Sequence, residues 1–157
     1  MSVAAGIIGT KNFTMVTVAK FVGTAAPHCI VNATAGASGW VMGVNVATAV
    51  NVRDLTALGS SVIGDTTNNA TTNWEAWIFE SDSGSNLTFS VNNVSHSLSA
   101  TPVTGAAAPT SFCVGTLNSG ADVMLGPIWE IIGFPTKLGA ADRASLVAYL
   151  SADTGLF

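Results

Sequence analysis

The acidic side chains are the first residues in this sequence whose type and spacing could support catalysis. Hydrolysis of a glycosidic bond uses a pair of carboxyl groups held at a defined separation. Glu75 and Glu80 flank one apolar run, and Glu130 stands alone in another. Side chains alternate along a β-strand, so the odd spacing of Glu75 and Glu80 directs them to opposite faces. Glu130 is expected to be a buried or edge carboxylate that backbone groups satisfy. The carboxylates therefore predict no shared catalytic site.

The two histidines do not indicate a catalytic triad. His28 follows Pro27 and is expected in a turn, whereas His96 lies in an alternating run and is expected to face solvent. The chain contains no Gly-x-Ser-x-Gly sequence, which would mark a nucleophile on a sharp strand-to-helix turn. We therefore expect that the protein is not an enzyme and has no catalytic residues.

Acidic and amide side chains in predicted loops are candidate calcium ligands. Calcium requires about six or more oxygen ligands brought together, and the spacing here is not that of an EF-hand. A single Asp in a turn more often bonds its own backbone. We expect no metal and no cofactor, with Ca²⁺ held by these loops as the alternative. The residues concerned are Asp54, Asp65, Asp82 and Asp122, with Asn68, Asn69 and Asn118.

The four tryptophans could contact a ligand or a partner. An aromatic ring can stack on a sugar, but it also buries a large area in a core or a subunit interface. We favour core or interface packing over a sugar-stacking platform. Trp40, Trp77 and Trp129 are the candidate contacts, for an interface or for a glycan.

Composition limits the partners of the chain, which we expect to be a single domain over residues 1–157. Of its 157 residues, 48% are hydrophobic and 9% charged, with a formal net charge of −4. The five Lys and Arg residues are scattered, whereas a phosphate backbone needs several such charges on one surface. No apolar run approaches the length of a membrane span, and the N-terminus lacks the basic residues of a secretory signal. We expect neither nucleic-acid nor membrane binding, and the low charge favours self-association.

Two cysteines, Cys29 and Cys113, lie in apolar strand-like runs. We expect two buried thiols, with a disulfide between them as the alternative. Neither is part of a Cys-x-x-Cys pair, so no zinc site is predicted.

Short alternating apolar runs separated by turn residues predict many β-strands. The run over residues 12–22 is apolar on both faces, as in an interior strand covered on both sides. Residues 87–91 and 94–98 are expected to form a hairpin around Asn92-Asn93. Residues 65–73 are expected to form a polar loop. Further strands are predicted at residues 29–32, 39–46, 48–53, around 62–63 and at 74–79.

The C-terminal stretch changes from strand to helix periodicity. Residues 123–134 predict a strand with Ile128 and Glu130 on one face and Trp129 on the other. A helix follows, with an apolar stripe of Leu146, Val147 and Leu150, preceded by Leu138. Gly155 is expected to end it. The residues expected to point away from the apolar stripe are Asp142, Arg143 and Ser145.

Three short motifs follow one another in the second half of the chain. They are Leu87-Thr88-Phe89-Ser90-Val91-Asn92-Asn93-Val94, then Phe112-Cys113-Val114-Gly115, then Gly126-x-Ile128-x-Glu130-Ile131-Ile132-x-Phe134 with Leu138-x-x-x-Asp142-Arg143-x-x-Leu146-x-x-Tyr149-Leu150. This order resembles laminin-G-like, concanavalin A-type jelly-roll domains, many of which occur in phage and bacterial proteins. Asn93 stands where the family usually has Gly, and Asn tolerates the positive φ of such a turn. The resemblance implies an all-β, two-sheet antiparallel jelly-roll sandwich with one short C-terminal α-helix.

Two functions fit the resemblance. The first is a virion structural protein, a capsid decoration (cement) protein or a fibre or tail module of a phage. It would assemble without catalysis, with copies of itself and with a capsid or tail protein. The second is a carbohydrate-binding, lectin-like module that uses an aromatic side chain and the Asp/Asn loops. We prefer the first hypothesis because the predicted surface is poor in charge and catalytic pairs are missing, although a fold alone does not assign a function.

Overall fold

The structure, a computed structural model, describes residues 12–22, 28–35, 38–45, 52–58, 62–69, 71–82, 87–97, 111–115 and 123–157. Within these ranges the chain forms ten β-strands and one C-terminal α-helix. The strands are β1 (Phe13–Lys20), β2 (His28–Ala35), β3 (Ser38–Asn45), β4 (Val52–Leu58), β5 (Val62–Asn69), β6 (Trp74–Ser81), β7 (Leu87–Val91), β8 (Val94–His96), β9 (Ser111–Val114) and β10 (Ile128–Phe134). The helix is α1 (Ala140–Thr154).

The strands form two five-stranded antiparallel sheets. Sheet A has the order β10-β1-β6-β7-β8, and sheet B has the order β5-β4-β3-β2-β9. In both sheets, strands that are distant in sequence lie side by side, which is the connectivity of a jelly-roll sandwich. The prediction of an all-β, two-sheet fold with one C-terminal helix is confirmed.

Strand β1 is an interior strand of sheet A, between β10 and β6, and both its faces are covered. Phe13 and Met15 pack into the core between the two sheets. Val16 and Val18 point to the opposite face, where they pack against α1. The interior strand predicted for residues 12–22 is therefore confirmed, and its two apolar faces serve two separate cores.

A β-bulge near the start of β10 changes the direction of its side chains. The register of β10 against β1 shifts between Glu130 and Ile128, which leaves Trp129 outside the pairing. Bulges of this kind re-aim the side chains around the extra residue. Ile128 packs with Ile131 against the core between the sheets, whereas Trp129 and Glu130 both bond to α1. The predicted alternation is thus wrong at the first positions of β10.

Helix α1 covers the outer face of sheet A. Leu146 and Leu150 are buried against the sheet, and Val147 and Leu138 are partly buried beside them, as predicted. Gly155 ends the helix in a left-handed conformation, with φ of 68°, which glycine adopts without steric cost. The helix closes the outer face of sheet A to ligands over the area that it covers.

The prediction that Arg143 points away from the apolar stripe of the helix is wrong. Its Nε lies 3.2 Å from Oε2 of Glu80 on β6, and its Nη2 donates to Oγ of Ser90 on β7. Position 143 precedes Leu146 and Leu150 by three and seven residues, so it lies on the same helical stripe as those apolar residues. The long side chain therefore reaches a buried carboxylate that needs a partner.

Sheet B differs from the prediction in its fourth and fifth strands. β4 spans Val52–Leu58 rather than residues 48–53, and residues 46–51 lie outside the described part of the chain. β5 spans Val62–Asn69 and includes the first five residues of the expected polar loop, of which Asn69 pairs with Val52 on β4. His28 is the first residue of β2 rather than part of a turn.

The hairpin around Asn92-Asn93 is confirmed. Both residues have positive φ, 47° and 61°, as in a two-residue turn that matches the twist of the strands. Oδ1 of Asn92 also accepts a hydrogen bond of 2.8 Å from the backbone N–H of Ala76. This side chain fastens the turn to β6.

Cys29 is buried and Cys113 is half-buried, and no disulfide joins them. The disulfide alternative is therefore wrong. Within the described ranges, no helix has both the length and the apolar character needed to cross a membrane.

Candidate functional site

The structure separates the three tryptophans named as candidate contacts. Trp77 is 1% exposed and lies in the core between the sheets, where its Nε1 donates to Oε2 of Glu75 over 2.7 Å. Trp40 lies in β3, opposite Ala33 and Ala57 in strand register, and its side chain is outside the described part of the structure. Trp129 is 60% exposed. Trp129 is the candidate that the structure leaves open to a ligand.

Two hydrogen bonds join the start of β10 to the last turns of α1. Nε1 of Trp129 donates to Oδ2 of Asp153 over 2.7 Å, and the hydroxyl of Tyr149 donates to Oε1 of Glu130 over 2.8 Å. We call these four residues the β10–α1 site. It contains two exposed aromatic side chains and two carboxylates.

Local structure explains why these four side chains meet. The bulge in β10 lets the adjacent residues Trp129 and Glu130 both reach α1. Tyr149 and Asp153 are four residues apart on α1, so they lie on the same side of the helix one turn apart. The buried Leu150 holds this part of the helix against sheet A. Rigid elements therefore position every side chain of the site.

The indole ring of Trp129 is held from two sides. Trp74, which is half-buried at the start of β6, packs against it edge-to-face, with ring centroids 5.9 Å apart and an interplanar angle of 89°. Asp153 anchors its Nε1 edge. Because both restraints act on an exposed ring, a ligand that stacks there loses little side-chain entropy in ordering it.

The carboxylates of Glu130 and Asp153 determine the electrostatic character of the site. Among the described residues, neither Glu130 nor Asp153 forms an ion pair, and Oε2 of Glu130 is enclosed without a hydrogen-bond partner. The hydrogen bond from Tyr149 to Glu130 raises the pKa of the Tyr149 hydroxyl, and the nearby charges of Glu130 and Asp153 raise this pKa further. Tyr149 therefore stays protonated and keeps donating at neutral pH.

The hydrogen-bond partner of the Glu130 carboxylate differs from the one predicted. Glu130 lies on the edge strand β10, as one form of the prediction allows, but its Oε1 accepts a hydrogen bond from the side chain of Tyr149 rather than from backbone. A bulge at an edge strand gives its side chain access to the helix, which regular alternation does not predict.

The other two carboxylates of the sequence analysis are parts of the scaffold. Glu75 accepts hydrogen bonds from Trp77 and from the backbone and hydroxyl of Thr71, whereas Glu80 pairs with Arg143 under α1. They lie on opposite faces of β6, as their odd spacing predicts. Because of this arrangement, Glu75 and Glu80 cannot both contact the same substrate.

His96 is half-buried, and its ring packs against Phe89 with centroids 5.7 Å apart, so the expected solvent-facing position is wrong. Within the described ranges, no three His, Cys, Asp or Glu residues are grouped as a metal site. Asp122 and Asn118 lie outside these ranges. The other candidate calcium ligands Asp54, Asp65, Asn68 and Asn69 lie on β4 and β5 rather than in the expected loops, and their side chains are outside the described part of the structure.

Sequence reasoning missed Tyr149 and Asp153 as site residues. Their four-residue spacing, on a helix that follows the strand containing Trp129 and Glu130, was an available signal. What the sequence could not supply was the bulge, without which Trp129 and Glu130 point to opposite faces of the sheet.

Comparisons with known proteins show the fold. No family model matches the chain, and no curated protein matches it in sequence. Domain 4 of AbnA, an extracellular GH43 arabinanase from Geobacillus stearothermophilus in complex with arabinotriose, has a TM-score of 0.66 and 17% identity, over 93% of this chain and 71% of that chain. The heptameric SAP-like pentraxin from Limulus polyphemus has a TM-score of 0.68 and 10% identity, over 90% and 71% of the two chains.

A third similar structure is the CBM40 of the Ruminococcus gnavus IT-sialidase bound to α2,3-sialyllactose. It has a TM-score of 0.62 and 11% identity, over 90% of this chain and 83% of that chain. At such low identity these similarities establish a β-sandwich jelly-roll fold and leave the ligand of this chain open.

Proposed function

We propose that this protein is a carbohydrate-binding, lectin-like module that binds glycans at the β10–α1 site. The observation that carries the proposal is the 60% exposed indole of Trp129, held in place by Trp74 and Asp153. An exposed aromatic ring beside hydrogen-bonding groups is the arrangement by which a site takes the apolar face and the hydroxyl groups of a sugar together.

The polar groups around the ring can form the hydrogen bonds to the hydroxyl groups of a sugar. Glu130 and Asp153 each accept one hydrogen bond within the site. Oε2 of Glu130 is enclosed, whereas the exposed carboxylate of Asp153 has capacity to accept more. Sugar hydroxyl groups are donors that a carboxylate binds more strongly than a neutral acceptor does. The site therefore combines a stacking surface with charged acceptors at its border.

The comparisons also support a glycan as the ligand. Two of the similar structures were determined with a bound oligosaccharide, arabinotriose in one and sialyllactose in the other. We propose binding without catalysis, since Glu75 and Glu80 are engaged on opposite faces of β6. Incubation with the bound glycan should give no hydrolysis product.

The test is calorimetric titration of the purified protein with a panel of neutral oligosaccharides that includes arabinotriose. Saturable binding that Trp129→Ala reduces at least about fivefold is expected, since stacking on an aromatic side chain is worth about 1–3 kcal/mol. Val94→Ala, at an exposed position on the opposite edge of sheet A, is the matched control and should bind as the wild type does. Glycan affinity that is unchanged in Trp129→Ala would exclude this site.

A second candidate function is assembly in a virion, as a capsid decoration protein or a fibre or tail module. The observation that favours it is a group of exposed apolar residues near the end of β1, Val22, Val123 and Leu125. The backbone N–H of Val22 donates to the carbonyl of Leu125 over 2.8 Å, so these two residues are adjacent. A second copy of this charge-poor chain is the partner that we propose for them.

Light scattering over a range of concentrations tests the assembly candidate. A dimer or larger oligomer that Leu125→Ser dissociates, with unchanged melting temperature, would support it. A monomer at the highest concentration reached would count against self-assembly and leave the glycan-binding proposal in place.

A further inference from the structure

The two carboxylates of the β10–α1 site have no neutralising partner among the described residues. The described ion pair joins Arg143 to Glu80 under α1, away from Glu130 and Asp153. Lys20 is exposed and lies opposite Trp74 in strand register, yet it forms no ion pair with either carboxylate. Within the described part of the chain, the site therefore has two carboxylates without an ion-pair partner beside its stacking surface.

The hydrogen bonds within the site do not remove these charges. Tyr149 and the indole of Trp129 each donate a hydrogen bond to a carboxylate, but both donors are neutral groups. One oxygen of Glu130 is enclosed without any partner. We therefore expect a ligand on the exposed face of Trp129 to meet a negative local potential, to which the formal net charge of −4 for the whole chain adds.

We propose that the β10–α1 site selects glycans by charge: it binds amino sugars best, neutral sugars less well, and rejects sugars that carry a carboxylate. This inference rests on the proposed glycan-binding function and names the ligand class of the same site. An ammonium group gains attraction from the indole face and from both carboxylates. An anionic sugar brings like charges together, which is how a site excludes a wrong ligand of similar shape.

Selection by charge would distinguish this site from that of a structural neighbour. The Ruminococcus gnavus CBM40 was determined with sialyllactose, which has a carboxylate. We expect the present chain to bind lactose several-fold more tightly than α2,3-sialyllactose, because exposed like charges cost a modest but measurable amount. We also expect a trisaccharide of glucosamine to bind more tightly than its N-acetylated form, which has no charge.

The experiment is calorimetric titration of the full chain with these four probes at low and high salt. In Asp153→Asn and Glu130→Gln an amide oxygen still accepts the hydrogen bond, but one negative charge is lost. Each of these two substitutions should raise the ratio of sialyllactose affinity to lactose affinity several-fold. High salt should shrink the discrimination in the wild type because it screens exposed charges. Thermal melts confirm that the variants are folded.

Asp142→Asn is the matched control. It removes the same charge from an exposed position in the first turn of α1, at the opposite end of the helix from Asp153, and should leave the affinity ratios unchanged. Equal affinity for lactose and sialyllactose, with both lost in Trp129→Ala, would overturn the charge selection and leave glycan binding standing. Failure to bind any of the four probes at millimolar concentration would overturn both proposals.

Discussion

The indole Nε1 of Trp129 and the carboxylate of Asp153 are 2.7 Å apart, so a residue on the C-terminal helix sets the orientation of an exposed ring on the edge strand. Asp153→Ala removes this restraint and should weaken glycan binding about two- to tenfold, the cost of ordering one side chain on binding. Asp153→Asn retains the acceptor and should keep most of the affinity for neutral sugars. Calorimetric titration with a neutral oligosaccharide measures both. Equal affinities for the two variants would mean that the restraint contributes nothing.

Tyr149 is the single tyrosine of the chain, so its ionisation can be followed without ambiguity. The hydrogen bond to Glu130 raises the pKa of Tyr149 above its ordinary value of 10.0. Absorbance near the tyrosinate band should therefore show a transition above pH 10 in the native protein. Glu130→Gln should lower this pKa, because the carboxylate charge that disfavours tyrosinate is lost.

The raised pKa of Tyr149 also predicts that the stability of the protein depends on pH. Because the folded-state pKa of Tyr149 is raised, its stabilising contribution is fully present below the unfolded pKa and is lost as pH rises through the folded value. Thermal melts of the wild type and Tyr149→Phe should thus differ at neutral pH and converge at strongly alkaline pH. A difference that stays constant across this range would show that the hydroxyl does not titrate as we describe.

Arg143 neutralises a buried carboxylate beneath α1. Glu80 is 5% exposed, and one of its oxygens has no hydrogen-bond partner within the described structure. Arg143→Met should destabilise the protein by about 3–5 kcal/mol, because it leaves a charged group buried and unpaired. The double variant Arg143→Met, Glu80→Gln should recover part of this loss. Urea denaturation measures the free energies of unfolding, and additive losses in the double variant would argue against direct coupling.

Gly126 precedes β10 at a point where no side chain fits. A Cβ atom there would lie 2.0 Å from the carbonyl oxygen of Lys20, and φ of Gly126 is 140°. Gly126→Ala should therefore cost about 1–3 kcal/mol or more and should also displace the start of β10, weakening glycan binding. Urea denaturation and calorimetric titration measure the two effects.

Gly155 provides the control for backbone strain alone. Its φ is also positive, at 68°, but a Cβ atom would meet nothing within 4 Å. Gly155→Ala should cost about 1 kcal/mol and leave glycan affinity unchanged. Similar losses in affinity for the two variants would indicate that the site does not depend on the close approach at Gly126.

The sequence by itself determined the class of fold. Period-two alternation over β1 and β6 decided which residues face each core, because a strand directs successive side chains to opposite sides. Asn92-Asn93 determined a tight hairpin, since Asn tolerates positive φ. The stripe of Leu146 and Leu150 determined that one helix packs against a sheet. These are local properties, readable from neighbours in the chain.

Only the tertiary structure decided the candidate site. Trp129 was one of several possible contacts in the sequence, and its exposure depends on a bulge that local alternation does not predict. Tyr149 and Asp153 acquire their roles because the last turns of α1 pack beside the edge strand. Arg143 likewise turned inward because a buried carboxylate from a distant strand lay within reach. Hydrogen bonds between residues far apart in sequence depend on how elements pack, and that packing is a property of the whole chain.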